Sequence, residues 1–248
     1  MKIYSVIPAR GGSKGMPEKN IKSLRGYPLI AYSIIASKLS SRIDRTIVST
    51  DSQKIADVAL SYGAEVPFLR PAEIAQDHSS DLEFIRHAIN WFKEKEGAVA
   101  GLLVQLRPTT PLRIPSEIER AIAYIKVRQD ASSLRSAHEL SEPPQKMFQI
   151  DEKSFFKGFF PNDSRPEYYN LPRQSFSKAH HPNGYVDIIK TNFVLQNNSL
   201  HGSKILGFIT SFATEVDRPE DFSYLEYQLH KYGNPIYEYL TKHFPKRS

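Results

Sequence analysis

The sequence predicts an α/β protein built on a mostly parallel sheet with helices on both faces. Three observations predict it. Short β-rich runs alternate with amphipathic runs through the first half of the chain. Breakers punctuate the pattern at specific points, as Gly63 does after residues 52–62 and Gly233, Asn234 and Pro235 do near the end. A loop rich in glycine and cations follows the first β-rich run directly, where an open α/β sheet binds its ligands. Taken in order, residues 2–7 alternate and are β-rich, residues 28–39 have helical apolar spacing, and residues 45–49 form a second β-branched run. Residues 52–62 are expected to be helical and to stop at Gly63, residues 65–69 to form a strand, residues 81–95 a strong helix, and residues 101–106 a buried strand. Residues 115–128 supply a helix with Pro115 near its start, where a missing N–H costs little. The rhythm breaks after about Asp130. Proline, glycine and aromatic residues then predict an insertion of β-hairpin character over roughly residues 138–170 within a single domain spanning 1–248. Regular organisation resumes with strands at 184–189 and 204–209, and with two helices split by Gly233, Asn234 and Pro235.

Bulk properties narrow the function. The 248 residues, 40% of them hydrophobic, suffice for one large domain with an insertion. The chain has no cysteine, which excludes a disulfide framework, a thiolate metal site and a cysteine nucleophile. No apolar run reaches the roughly 20 residues that span a bilayer, so a cytoplasmic location and no membrane partner are expected. A net charge of +6 suits anionic partners. The basic residues are scattered, without the tracts or aromatic interleaving of a nucleic-acid binder, so no nucleic-acid partner is expected.

The strongest chemical signal is Pro8-Ala9-Arg10-Gly11-Gly12-Ser13-Lys14-Gly15-Met16-Pro17-Glu18-Lys19-Asn20. Its glycines let the backbone approach a polyanion, Arg10, Lys14 and Lys19 can neutralise phosphate charge, and Asn20 can fix a base, ribose or phosphate oxygen. It is neither the dinucleotide-binding GxGxxG pattern nor a Walker loop ending in Gly-Lys-Ser/Thr.

This loop closely resembles the signature of CMP-N-acylneuraminate cytidylyltransferases. The resemblance continues, in the family's order, through Val48-Ser49-Thr50-Asp51, Phe68-Leu69-Arg70-Pro71-Ala72-Glu73, Arg107-Pro108-Thr109-Thr110-Pro111-Leu112-Arg113, Pro172-Arg173-Gln174, Pro182-Asn183-Gly184 and Glu215-Val216-Asp217. It implies a Rossmann-like nucleotidyltransferase fold whose inserted region mediates a homodimer. It also implies the reaction of CTP with an acidic 2-keto sugar to give CMP-sugar and pyrophosphate, with Mg²⁺ as cofactor. By resemblance, Arg10 and Lys14 are catalytic and face the triphosphate, and Gly11, Gly12, Ser13, Asn20 and Arg70 complete the nucleotide site.

Glu215 and Asp217 stand two residues apart, so an extended backbone would put both carboxylates on one side as oxygen ligands for Mg²⁺. The family pattern has Asp at both positions, which makes Asp217 the principal metal and catalytic residue here and Glu215 the longer-armed one. Glu220 and Asp221 follow Pro219 and suit the first turn of a helix. The sugar site is expected at Arg107, Arg173, Gln174 and Asn183, with Arg173 pairing with the sugar carboxylate. Arg107 departs from the family, which has Gln there, and is read as a specificity residue. His181 likewise stands where an Arg is familiar, and His180 and His181 lack the neighbouring ligand spacing of a metal site. A related enzyme using an octulosonic acid or another nucleoside triphosphate, and a nucleotide-binding scaffold without turnover, are the alternatives.

Overall fold

The computed structural model describes residues 1–12 and 15–246. The chain runs β1 (Ile3–Pro8), the short ribbon of β2 (Ser23–Leu24) and β3 (Tyr27–Pro28), α1 (Leu29–Lys38), β4 (Arg45–Ser49), α2 (Gln53–Ser61), α3 (Asp81–Glu96) and β5 (Leu102–Gln105). It continues through α4 (Pro115–Val127), β6 (Ser133–Glu139), β7 (Phe148–Ile150), β8 (Phe156–Gly158) and β9 (His180–Lys190). It ends with α5 (Thr191–Asn197), β10 (Ile205–Ile209), α6 (Pro219–Tyr232) and α7 (Pro235–His243). Among the described residues the main sheet has six strands in the order β10-β6-β9-β5-β1-β4. All its pairings are parallel except those of β9, which runs antiparallel to β5 and β6. This mixed α/β architecture is the expected fold class.

Period-two alternation in β1 sends its side chains into two different cores. Ile3 and Ile7 join α1, α4, α6 and α7, whereas Tyr4 and Val6 meet α3 through Phe84, Ile85, Ala88, Ile89 and Phe92. Helix α1 is buried from Leu29 to Ser37, apolar on nearly every side, because the sheet lies beneath it and α7 packs over it. Caps set the helix limits as the residue types predict. Ser52 accepts from Ile55 N, Gly97 ends α3 in the left-handed region at φ 68°, and Asn234 Oδ1 accepts from Ile236 N and Tyr237 N at the start of α7.

Three elements differ from expectation. Residues 65–69 are not a strand but make two isolated bridges to β4 and its end, Ile47 with Glu65 and Thr50 with Leu69. Pro67 lies between them and has no N–H to give a ladder. The regular pattern does not end at residue 130, since β6 inserts between β9 and β10, its polar residues Ser133, Arg135 and Ser136 giving it no apolar run to be read by. The short α5, with no amphipathic period to betray it, was also unexpected. Between Glu139 and His180 the chain leaves the sheet, and this excursion carries the antiparallel β7–β8 hairpin. Among the described residues no helix is long and apolar enough to cross a membrane.

Candidate active site

The ends of β1, β4 and β5 open into a cleft of about 530 Å³. Parallel strands deliver their following loops to one edge, so residues distant in sequence converge there. Arg10, Gly15, Lys19 and Asn20 line it from the first loop, Arg70 and Asp77 to Asp81 from the segment entering α3, Arg107 to Thr109 from the loop after β5, and Glu215 and Asp217 from the segment before α6.

Asn20, almost fully buried, donates through Nδ2 to Arg10 O at 2.9 Å and so closes the first loop on itself. Gly11 N donates to Asp51 Oδ1 at 2.8 Å, and a Cβ on Gly11 would approach Ser52 Cβ to 3.2 Å. That close approach is what the first glycine serves. Among the described residues no neighbour within 4 Å would meet a Cβ on Gly12. Ser13 and Lys14, both expected at the phosphates, lie outside the described residues. Arg10 Nη1 lies 2.9 Å from Asp77 Oδ1. Lys19 Nζ donates to Val216 O at 2.9 Å and stands 3.4 Å from Asp217 Oδ1, which ties the first loop to the last one.

Arg70 is only 6% exposed, yet no carboxylate pairs with it among the described residues. Its Nε and Nη2 donate to Ser49 Oγ and Ser49 O at 3.1 and 2.6 Å, and its guanidinium carbon sits 4.8 Å from the Phe84 ring centroid. Burial pulls its pKa down to about 10, so it stays cationic at neutral pH. A buried, unpaired guanidinium at a cleft wall is a standing demand for an anionic or acceptor-rich ligand.

Arg107 points into the same cleft, but a partner already holds it. Its Nη2 donates to Asp81 Oδ2, which also accepts from Gln105 Nε2 at 3.1 Å, and Asp187 Oδ2 lies 3.8 Å behind. Burial alone would raise the Asp81 carboxyl, but the facing Arg107 outweighs it and holds the group below the ordinary range. Arg107 is correspondingly raised by Asp81 against its own burial, so the pair is charged at neutral pH. Sequence reasoning passed over Asp81 as an ordinary helix start. The register of β5 held the only signal, because it sends Gln105 and the chain leading to Arg107 towards α3.

Beneath the cleft, Arg113 is completely buried and staples its wall. It donates to Tyr185 O at 2.5 Å, Ser33 Oγ at 2.9 Å, Arg107 O at 2.8 Å, Gly184 O at 3.0 Å, and also to Thr110 O. Asn183 is engaged in the same support and not in the cleft. Its Oδ1 accepts from Ser136 Oγ at 2.8 Å and Tyr185 N at 3.2 Å, and its Nδ2 donates to Thr210 Oγ1 at 2.8 Å. Arg173 and Gln174 sit in an exposed turn of the excursion, outside the cleft lining, with Arg173 Nη1 donating to Ser141 O at 3.0 Å. The structure therefore brings Arg10, Asn20, Arg70, Arg107, Glu215 and Asp217 together, and leaves Arg173, Gln174 and Asn183 apart from them.

Glu215 and Asp217 share the cleft because Val216 between them is fully buried and its N–H donates to Thr109 O at 2.7 Å. Glu215 Oε1 accepts from Thr109 Oγ1 at 3.0 Å, while the Asp217 side chain is 70% exposed. Asp221 Oδ2, in the first turn of α6, accepts from Asp217 N and Arg218 N, both at 2.7 Å, and so fixes the turn carrying Asp217. No group of three or more metal-ligating side chains occurs among the described residues. Two carboxylates open to water do fit Mg²⁺, which keeps several waters and binds through one or two carboxylates and phosphate oxygens.

The family model for cytidylyltransferases matches residues 4–157. A CMP-N,N'-diacetyllegionaminic acid synthase of Legionella pneumophila is 32% identical over 231 residues, covering 91% of this chain and 95% of its own. An N-acylneuraminate cytidylyltransferase of Escherichia coli is 33% identical over 216 residues, covering 87% of this chain, which spans about half (49%) of that relative's length. Among solved structures, a CMP:2-keto-3-deoxy-manno-octonic acid synthetase complexed with CTP superposes with a TM-score of 0.69 at 15% identity, over 93% of this chain and 99% of that one. At that identity the likeness concerns the fold.

Proposed function

Because this chain belongs to the cytidylyltransferase family, we propose that it joins CMP from CTP to a nine-carbon acidic 2-keto sugar of the sialic or legionaminic type. The C2 hydroxyl oxygen of the sugar bonds to the α-phosphorus of CTP, the bond from that phosphorus to the pyrophosphate oxygen breaks, and the hydroxyl proton is released. Such a displacement needs chiefly positioning and charge stabilisation. Arg10 and Lys14 would face the triphosphate, with Gly11, Gly12 and Ser13 giving the backbone room, and Asn20 and Arg70 would hold the nucleoside part. Arg107 would face the acceptor. Arg173 and Gln174 would reach the sugar carboxylate only from the excursion, so their role depends on how that segment is placed in the assembly.

The observation that carries this reading is the convergence of Arg10, Asn20, Arg70, Arg107, Glu215 and Asp217 on one cleft at the carboxyl edge of the sheet. Charge balance there supports a divalent cation. Among the described lining residues, Arg10, Lys19, Arg70 and Arg107 are offset by Asp77, Asp81, Glu215 and Asp217. A triphosphate brings more negative charge than these described cations leave unpaired, which favours a metal ion acting beside Lys14. Asp217, with Glu215, would hold Mg²⁺, which when bound supplies charge neutralisation at the phosphate oxygens. The exposed Ile150, Phe155, Phe156 and Phe159 on and beside the β7–β8 hairpin support a homodimer formed through the excursion.

Incubation of the protein with CTP, Mg²⁺ and a panel of nonulosonic and octulosonic acids tests the proposal, with pyrophosphate release and product mass as readouts. A CMP-nonulosonate product is expected. Turnover only with another nucleoside triphosphate would overturn the cytidylyl assignment, a product only from an octulosonic acid would overturn the acceptor, and CTP binding without turnover would favour the scaffold.

A further inference from the structure

We propose that Asp81 and Arg107 act together as a subsite for a vicinal pair of hydroxyl groups on a substrate, an inference that rests on the cytidylyltransferase reading of the cleft. Both contacts made by Asp81 fall on Oδ2, which accepts from Arg107 Nη2 and from Gln105 Nε2. Among the described residues, Oδ1 has no hydrogen-bond partner, and neither do Arg107 Nε and Nη1. Both side chains are about 30% exposed, at 32% and 28%, and both line the cleft. The unbonded acceptor and donors thus belong to two cleft-lining side chains already joined by one hydrogen bond.

Their net charge decides what they can bind. Arg107 is neutralised in front by Asp81, while behind it Asp187, itself only 2% exposed, is shared between Arg107 at 3.8 Å and Arg135 at 3.5 Å. A phosphate or sugar carboxylate would meet Asp81 as a like charge and gain little from a guanidinium so paired. Neighbouring hydroxyls match the pair without any ionic exchange. One O–H donates to Asp81 Oδ1, and the adjacent hydroxyl oxygen accepts from the free edge of the Arg107 fork. The pair is also held in place before any ligand arrives. Gly184, at φ +60°, lies so close to Arg107 that a Cβ there would come within 3.1 Å of Arg107 Cδ, and the Arg107 carbonyl is fastened to Arg113. Two sources in this reaction carry such a diol, the ribose of CTP and the hydroxylated chain of the acceptor.

The test compares kcat/KM for two matched pairs, CTP against 2′-deoxy-CTP and the native acceptor against its analogue lacking one hydroxyl of a vicinal pair. It uses the wild type, Asp81→Ala and Arg107→Lys, the last of which keeps the charge for Asp81 and removes the planar fork. We expect the wild type to reject one of the two deoxy ligands by about 10- to 100-fold, and that ratio to fall towards one in both variants. Collapse of the nucleotide ratio assigns the ribose, and collapse of the acceptor ratio assigns the sugar chain. The proposal is overturned if the wild type discriminates against neither deoxy ligand, or if both ratios survive in a folded Arg107→Lys protein. Wild-type turnover of CTP with the native acceptor tests the functional reading separately. Should turnover be absent with every acceptor, calorimetric affinities of the same four ligands for the same proteins still decide the diol subsite.

Discussion

The Asp217 side chain is largely open to water and among the described residues pairs only with Lys19, so its removal leaves few contacts broken. Asp217→Asn preserves the volume and should change stability by no more than about 0.5 kcal/mol, while lowering Mg²⁺-dependent turnover about a hundredfold. Steady-state rates against Mg²⁺ concentration, alongside thermal denaturation, check both halves, and a wild-type Mg²⁺ response would remove Asp217 from this role. Arg10, paired among the described residues with Asp77 across a part-exposed bridge, is likewise expected to matter for the ligand more than for the fold. Arg10→Ala should weaken CTP use with every acceptor, and a change confined to acceptor choice would sink the phosphate reading. At Arg107 the expected effect is on pH. Asp81 has a folded pKa below its unfolded value, so its stabilisation is complete above about pH 3.9 and is lost as pH falls through the lowered value. In Arg107→Gln, burial is left to raise that pKa instead. The acid-unfolding midpoint should then move to higher pH, as followed by circular dichroism, and an unmoved midpoint would mean that the pair contributes nothing to the acid limb.

Whole elements act through the turns they hold. Helix α6 begins at Pro219, and its Asp221 caps the backbone of Asp217 and Arg218. Asp221→Ala should cost about 1 kcal/mol as a lost cap and should also raise the Mg²⁺ concentration needed for half-maximal rate, because the turn bearing Asp217 loosens. A stability loss with an unaltered Mg²⁺ dependence would reduce Asp221 to a helix cap alone. Helices and strands of the first half were legible in the sequence because each carries its own period and its own stops. Residues 45–49 match β4 at both ends, and Pro115 and Gly97 mark their helix limits. The strand expected at 65–69 failed for a local reason, since Pro67 cannot donate to a ladder, and β6 was missed for a non-local one. Arg135 and Ser136 are acceptable inside a sheet only because Asp187 on β9 faces the first and Asn183 Oδ1 accepts from the second.

On the scale of the molecule, the exposed aromatic side chains of the excursion bear on assembly. Phe155 and Phe156 are 68% and 71% exposed, apolar surface whose exposure to water is unfavourable and which a partner would cover. Replacing both by serine should convert a dimer into a monomer in light scattering while sparing the main-sheet core, whose clusters include neither residue. A wild-type protein that is monomeric at every concentration tested would overturn the proposed dimer.

By itself the sequence determined the α/β class, the order of most elements, the glycine- and cation-rich loop after the first strand and the acidic pair at 215 and 217, because each of these is written in adjacent residues. Only the tertiary structure decided which side chains share the cleft. Asn183, expected at the sugar, has its amide bonded to Ser136 on β6 and to Thr210 and braces the wall. Asp81 looked like a plain helix start and proves to hold Arg107, because β5 and α3 pack face to face. Hydrogen-bond partners of this kind are set by contacts between residues tens of positions apart, and no local period or motif encodes them.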